Sequence, residues 1–70
     1  MIKINDYIEG YEYYSHDIQK IRGWVDKIDL QNDNILYEIQ ADDGYHGARW
    51  TIIYKSLGKV KLIDSNHPRP

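Results

Sequence analysis

The chain has 70 residues, no cysteine and a formal net charge of −2 at neutral pH. This length predicts one domain with a small core, and the absence of cysteine excludes disulfides and cysteine-based zinc sites. The apolar runs are short and the first residues carry charges, so we expect no membrane segment, no signal peptide and a cytoplasmic location.

The charges are distributed unevenly along the chain. Residues 1–17 are mainly acidic and residues 48–70 are mainly basic. This pattern fits either an acidic and a basic edge on one domain or ordinary solvated charge. The sequence pI of about 5.8 argues against a protein whose main work is to neutralise nucleic-acid phosphates.

Alternating apolar residues predict the first strands. Residues 2–8 alternate and predict a first strand, whereas residues 9–20 lack a sustained period and indicate a long ordered loop. The second strand is expected over about 20–30, with Gly23 at a close backbone crossing and a bend near Asp26 and Lys27, where the parity of the apolar residues changes.

The second half of the chain predicts two more strands, a short helical turn and a final strand. Residues 35–41 and 49–54 alternate, residues 55–58 suit one 3₁₀ turn, and the segment after it suits a last strand. Residues 65–70 are expected to form a flexible tail. By parity, the inward residues are Ile21, Val25, Tyr37, Ile39, Trp50, Ile52, Val60 and Leu62.

This order of elements, with the run IRGWVDKID…YEIQADDG…W…LGKV, resembles the SH3-like barrel superfamily, which includes SH3, Tudor and KOW modules. The resemblance implies an all-β fold in which residues 1–64 form a small five-stranded barrel. The motifs that SH3 domains use for proline-rich peptides are only loosely echoed, since Ile35 and Leu36 stand where a tryptophan pair is expected. A Tudor-type cage would draw on Tyr7, Trp24, Tyr37, Tyr45 and Trp50.

The aromatic residues indicate a contact surface in the predicted first loop. The chain has seven tyrosines and two tryptophans but no phenylalanine, and tyrosine combines an apolar ring with a hydroxyl suited to interfaces. We therefore predict a partner-binding surface formed by Glu9, Tyr11, Glu12, Tyr13, Tyr14 and Asp17, whose acidic members favour a basic patch on the partner.

Two alternatives remain open. A nucleic-acid face, as the KOW-like resemblance implies, would consist of Arg22, Trp24, Lys55, Lys59 and Lys61. The second alternative is an oligomer that binds a small ligand, or catalyses, at subunit interfaces, since a core this small and uncrosslinked favours self-association.

No pattern points to catalysis or to a cofactor. Asp42, Asp43 and His46 lie close together on one loop, but such residues are also common in hairpin loops, and the three histidines lack metal-ligand spacing. We expect a non-enzymatic binding module with a protein partner. Its small size and its bias toward Ile, Lys, Asn, Asp and Tyr are shared with phage or mobile-element proteins that inhibit a host protein.

Overall fold

A computed structural model describes residues 1–44 and 47–70. In these residues the chain is almost entirely β-structure, with one short 3₁₀ turn, η1. The strands are β1 (Tyr7–Tyr14), β2 (Asp17–Gln31), β3 (Asn34–Ala41), β4 (Trp50–Tyr54) and β5 (Lys61–Asp64), and η1 (Lys55–Leu57) precedes the last strand. The predicted all-β class, five strands and 3₁₀ turn are thus confirmed.

The five strands form one antiparallel sheet in the order β4-β3-β2-β1-β5. The described strands do not close on themselves, so β4 and β5 are the edges of a curved, open sheet. A closed barrel is therefore not confirmed.

The predicted first strand at 2–8 and the predicted long loop after it are both wrong, because β1 begins at Tyr7 and continues to Tyr14. Residues 7–14 and 17–24 pair residue by residue, and only Ser15 and His16 connect the two strands. Both have positive φ, 50° and 66°, as a tight two-residue hairpin turn of type I′ requires. Gly10 lies inside β1, and a Cβ there would clash with the side chain of Ile53, so close packing inside the strand requires glycine.

The long strand β2 is bent as predicted. Its register with β3 shifts between Val25 and Lys27, so Asp26 occupies an irregularity between two regular segments. The predicted close crossing at Gly23 is also confirmed, because a Cβ there would lie 2.1 Å from the carbonyl oxygen of Gln40.

The core lies on the concave face of the sheet. Its buried members are Ile8, Ile21, Val25, Tyr37, Ile39, Ala41 and Ile53. Four of the residues predicted to face inward are among them, namely Ile21, Val25, Tyr37 and Ile39. Val60 is half-buried against this cluster, whereas Leu62 is largely exposed.

The predicted orientation of β4 is wrong. Tyr37 lies opposite Ile53, which places Ile53 on the buried face. Trp50 and Ile52 lie opposite Gln40 and Glu38 and point to the other face, where Trp50 is 56% exposed.

The segment after β5 lies against the sheet. The indole nitrogen of Trp24 donates a hydrogen bond to the carbonyl oxygen of His67 at 3.1 Å, and the His67 ring stacks on Tyr7 at 3.9 Å. This segment therefore covers two aromatic residues on the face opposite the core.

No helix among residues 1–44 and 47–70 has the length and apolar character needed to cross a membrane.

Candidate functional site

The predicted contact residues at 9–17 fall on both faces of the β1–β2 hairpin. Glu9 lies on the outer face, where it accepts a hydrogen bond from Arg22 at 2.8 Å. Tyr11 packs its ring against Gly58 and is half-buried. Tyr13 and Asp17 are exposed, and Asp17 accepts a bond from the backbone of Ile18 beside the turn.

Glu12 is fully buried, which contradicts its predicted place on a contact surface. Its carboxylate accepts bonds from both terminal nitrogens of Arg49, from the Thr51 hydroxyl at 2.7 Å and from the Gln19 amide at 2.7 Å. Arg49 also binds Asp43, which ties the loop after β3 to the core. This cluster is a structural ion-pair network.

The charges in this network are mutually stabilised. Burial raises the pKa of Glu12, but the hydrogen bonds from Arg49, Gln19 and Thr51 outweigh burial and hold that pKa below its usual range. The hydrogen bonds that Arg49 donates to Glu12 raise the pKa of Arg49. Both groups are therefore charged at neutral pH.

An exposed aromatic surface lies on the outer face, where the end of β1 meets β4. Tyr13, Trp50, Ile52 and Tyr54 line one shallow groove there, and the rings of Tyr13 and Tyr54 meet edge to face at 5.4 Å. Ile18 lies directly opposite Tyr13 on β2 and is about half exposed. We call these five residues, Tyr13, Ile18, Trp50, Ile52 and Tyr54, the aromatic patch.

Trp50 is held in place within the aromatic patch. Its indole nitrogen donates a hydrogen bond to Asp26 at 2.7 Å, although the ring itself is largely exposed. Tyr14 follows Tyr13 in β1 and is outside the patch, with the Arg49 guanidinium 5.4 Å from its ring centre. Of the predicted contact residues, Tyr13 is thus the one that belongs to the aromatic patch.

The predicted nucleic-acid face is not assembled as one surface. Trp24 is buried, and Arg22 is paired with Glu9. Lys55 and Lys59 border a different groove of about 710 Å³ at the open side of the core, lined by apolar residues such as Ile2 and Ile35. Lys61 lies opposite Glu9 on the β5 edge.

Asp42 and Asp43, considered for acid–base chemistry, act as structural acceptors. The Tyr7 hydroxyl donates to Asp42 at 2.7 Å, and Arg49 donates to Asp43. Burial, reinforced by the bond to Asp42, raises the pKa of Tyr7 to about 12. His46, the third member of that set, and Tyr45 of the considered cage lie outside the described residues.

Within residues 1–44 and 47–70, no group of three His, Asp or Glu side chains is arranged to hold a metal ion.

The tail carries a second polar site that the sequence did not indicate. The guanidinium of Arg69 donates to the side-chain oxygens of Gln40 and Asn5, each at 3.0 Å, and to Asp26. These three acceptors come from β3, from the segment before β1 and from the bend in β2. They meet only in the folded chain, so no local sequence pattern reveals them.

The chain shows limited sequence similarity to known proteins. No protein family matches the chain, and no solved structure matches it significantly. A DNA ligase of Blochmanniella floridana is 30% identical over 76 residues, an alignment that covers 93% of this chain and 13% of the ligase. The chain thus spans only a small part of the length of that relative.

Proposed function

We propose that this chain is a binding module that recognises another protein through the aromatic patch. The observation that carries the proposal is the grouping of Tyr13, Ile18 and Trp50, each about half exposed or more, with Ile52 and Tyr54 on one face. Isolated exposed apolar residues are ordinary, but contiguous ones mark interaction sites.

The composition of the aromatic patch suits a protein partner. Tryptophan and tyrosine dominate the binding energy of many interfaces, because they bury much area and lose little side-chain entropy. The bond from Trp50 to Asp26 fixes the indole before binding, which lowers that loss further.

An SH3-like fold is part of the proposal. The strand order β4-β3-β2-β1-β5, the bent β2 that pairs on both sides and the 3₁₀ turn before the last strand support it. In this arrangement the aromatic patch lies where the end of β1 approaches β4, on an outer surface available to a partner.

The structure does not support the expectation that acidic residues of the contact surface attract a basic patch on the partner. Glu12 is buried and Glu9 is paired with Arg22, so neither is available to steer a basic partner. We therefore propose recognition by apolar contact at the aromatic patch, with the partner's polar groups at its rim.

The test is to isolate the partner from host lysate and measure its affinity for variants. Tyr13→Ala and Trp50→Ala should each weaken binding by about 1–3 kcal/mol, or roughly ten- to a hundredfold. Leu30→Ala is the matched control, since Leu30 is 69% exposed but lies outside the patch. A partner that binds both patch variants normally would contradict the proposal.

Nucleic-acid binding is the second candidate, and the similarity to a DNA ligase favours it. Exposed Trp50 and Tyr13 are suited to stacking on unpaired bases, and Lys55 and Lys59, which border the separate groove at the open side of the core, would supply charge to a strand that crosses both surfaces. Retention on single-stranded DNA that falls steeply with salt, and is lost in a Lys55→Glu, Lys59→Glu double variant, would place this candidate first.

A further inference from the structure

The contacts of Arg69 define a guanidinium-binding site in which all three nitrogens of the side chain have an acceptor. Nε, Nη1 and Nη2 each donate to a different acceptor, on Gln40, Asn5 and Asp26 respectively. One acceptor is a carboxylate and two are amide oxygens, so a single positive charge with several planar donors matches the site. A lysine ammonium lacks the planar arrangement of donors that reaches three separate acceptors.

The acceptors are held by the backbone around them. Asn5 has a φ of 72° and its N–H donates to the carbonyl oxygen of Val25 at 2.7 Å. Asp26 sits at the register shift of β2, and Gln40 lies opposite Trp24 in regular β-pairing. The acceptors are therefore supplied by the sheet and by the segment that precedes β1, and Arg69 reaches them from the C-terminal tail.

Asp26 connects this site to the aromatic patch. One of its carboxylate oxygens accepts from Arg69, and the other accepts from the indole nitrogen of Trp50 at 2.7 Å. Burial raises the pKa of Asp26, but the bonds from Arg69 and Trp50 outweigh burial and lower it overall. An arginine that binds next to Trp50 therefore contacts the Asp26 carboxylate in its charged form.

We propose that Asn5, Asp26 and Gln40 form an arginine-binding site for the partner, and that the chain's own Arg69 occupies it as a built-in competitor. This inference rests on the proposed function, since it specifies the partner as a protein that presents an arginine next to the apolar residues that cover Trp50. The partner's arginine replaces Arg69 at the three acceptors.

The position of the tail suits a competitor. Its segment around Arg69 has no regular secondary structure, and the Arg69 side chain keeps 28% of its surface exposed. Pro68 and Pro70 flank the arginine and restrict the backbone, which limits the entropy lost on docking. Because the tail is tethered, it competes at a high effective concentration.

The experiment uses the full chain, free of partner, and N-acetyl-arginine amide as the probe. The readout is the NMR shift of the Trp50 indole N–H, whose acceptor is Asp26. Arg69→Ala should bind the probe about tenfold more tightly than the unchanged chain, if the tail fills the site nine-tenths of the time. Arg22→Ala is the matched control, because it removes a different exposed arginine and leaves Arg69 in place.

Two further measurements test whether the probe binds at Asp26 and whether the site prefers arginine to lysine. Adding Asp26→Asn to the Arg69→Ala chain should abolish the gain, and N-acetyl-lysine amide should bind much more weakly than the arginine probe. Arg69→Lys replaces Arg69→Ala if the latter disturbs the packing of Trp24. Equal affinity of the unchanged and Arg69 variants, binding that does not depend on Asp26, or equal binding of lysine would each overturn the proposal.

A negative result for the arginine site can be distinguished from a negative result for the proposed protein-binding function. The probe measurement needs no partner, so a negative result leaves the aromatic patch as a protein contact. Conversely, if a partner binds Tyr13→Ala and Trp50→Ala with unchanged affinity, the aromatic patch is excluded as its contact surface. The affinity of the arginine site for the probe can still be measured in that case.

Discussion

Glu12 shows at the scale of one residue how burial changes the meaning of a charge. Its carboxylate has no exposed surface and accepts four hydrogen bonds, two of them from Arg49. Such a group stabilises the fold only while its partners are all present.

We expect Glu12→Gln to destabilise the fold by about 2–4 kcal/mol, because it leaves the largely buried Arg49 without its main counter-charge while keeping the side-chain volume. Urea unfolding at neutral pH measures the loss. Glu9→Gln is the control, since its partner Arg22 is about half exposed to solvent and the loss of this pair should cost much less. Equal effects of the two changes would argue against the buried network.

The residues that sequence reasoning misplaced are those whose environment depends on distant strands. Glutamate is usually a surface residue, and three of the four hydrogen bonds that make the burial of Glu12 favourable come from Arg49 and Thr51, more than thirty-five positions away. Parity predicts that Trp50 faces the core, yet its pairing with Gln40 places it on the outer face, where its indole donates to Asp26.

β4 illustrates the same limit at the scale of an element. Its residues Trp50, Ile52, Ile53 and Tyr54 are all apolar or aromatic, so alternation does not distinguish its two faces. The pairing of Tyr37 with Ile53 decides the orientation, and that register is a property of the sheet.

Ile53→Ala should therefore cost about 2–4 kcal/mol, since the fully buried side chain leaves a cavity against the core. Ile52→Ala, one position along, should cost much less because Ile52 lies on the outer, partly exposed face. Thermal unfolding of both variants tests the register. The reverse order of effects would restore the orientation that parity predicts.

The later strands were largely predictable, whereas the first strand and the connection after it were not. Alternation located β2, β3 and β4, and the change of parity near Asp26 indicated the bend. The sequence pattern does not predict the β1–β2 turn at Ser15 and His16, because neither residue is a glycine or an asparagine, the residues that most often adopt positive φ.

At the scale of the whole molecule, several carboxylates make stability depend on pH. The pKa values of Glu9, Glu12 and Asp26 all lie below their ordinary values, through bonds from Arg22, Arg49 and Arg69 that outweigh burial where it opposes them. A carboxyl whose pKa is lower when folded contributes stability above its unfolded pKa and loses it as the pH falls through the folded value.

The unfolding free energy should accordingly fall as the pH is lowered from about 6 to about 3, with the loss beginning near the unfolded value of 4.5 for the two glutamates. Urea titrations across this range measure it. The Glu12→Gln chain should show a shallower dependence, because one of the titrating groups is gone. A stability that rises toward low pH would be incompatible with these ion pairs.

The two-residue turns have a consequence for the order of folding. Ser15–His16 and Asn32–Asp33 join β1, β2 and β3 into a continuous meander whose pairs close between neighbours in sequence. β5 instead pairs with β1 from the far end of the chain, at Ile8 and Leu62. Since distant contacts form only after a larger loss of chain entropy, the meander should assemble first and β5 should dock last. Amide hydrogens of β5 should then exchange with solvent earlier than those at the centre of β2, through partial openings that leave the meander intact.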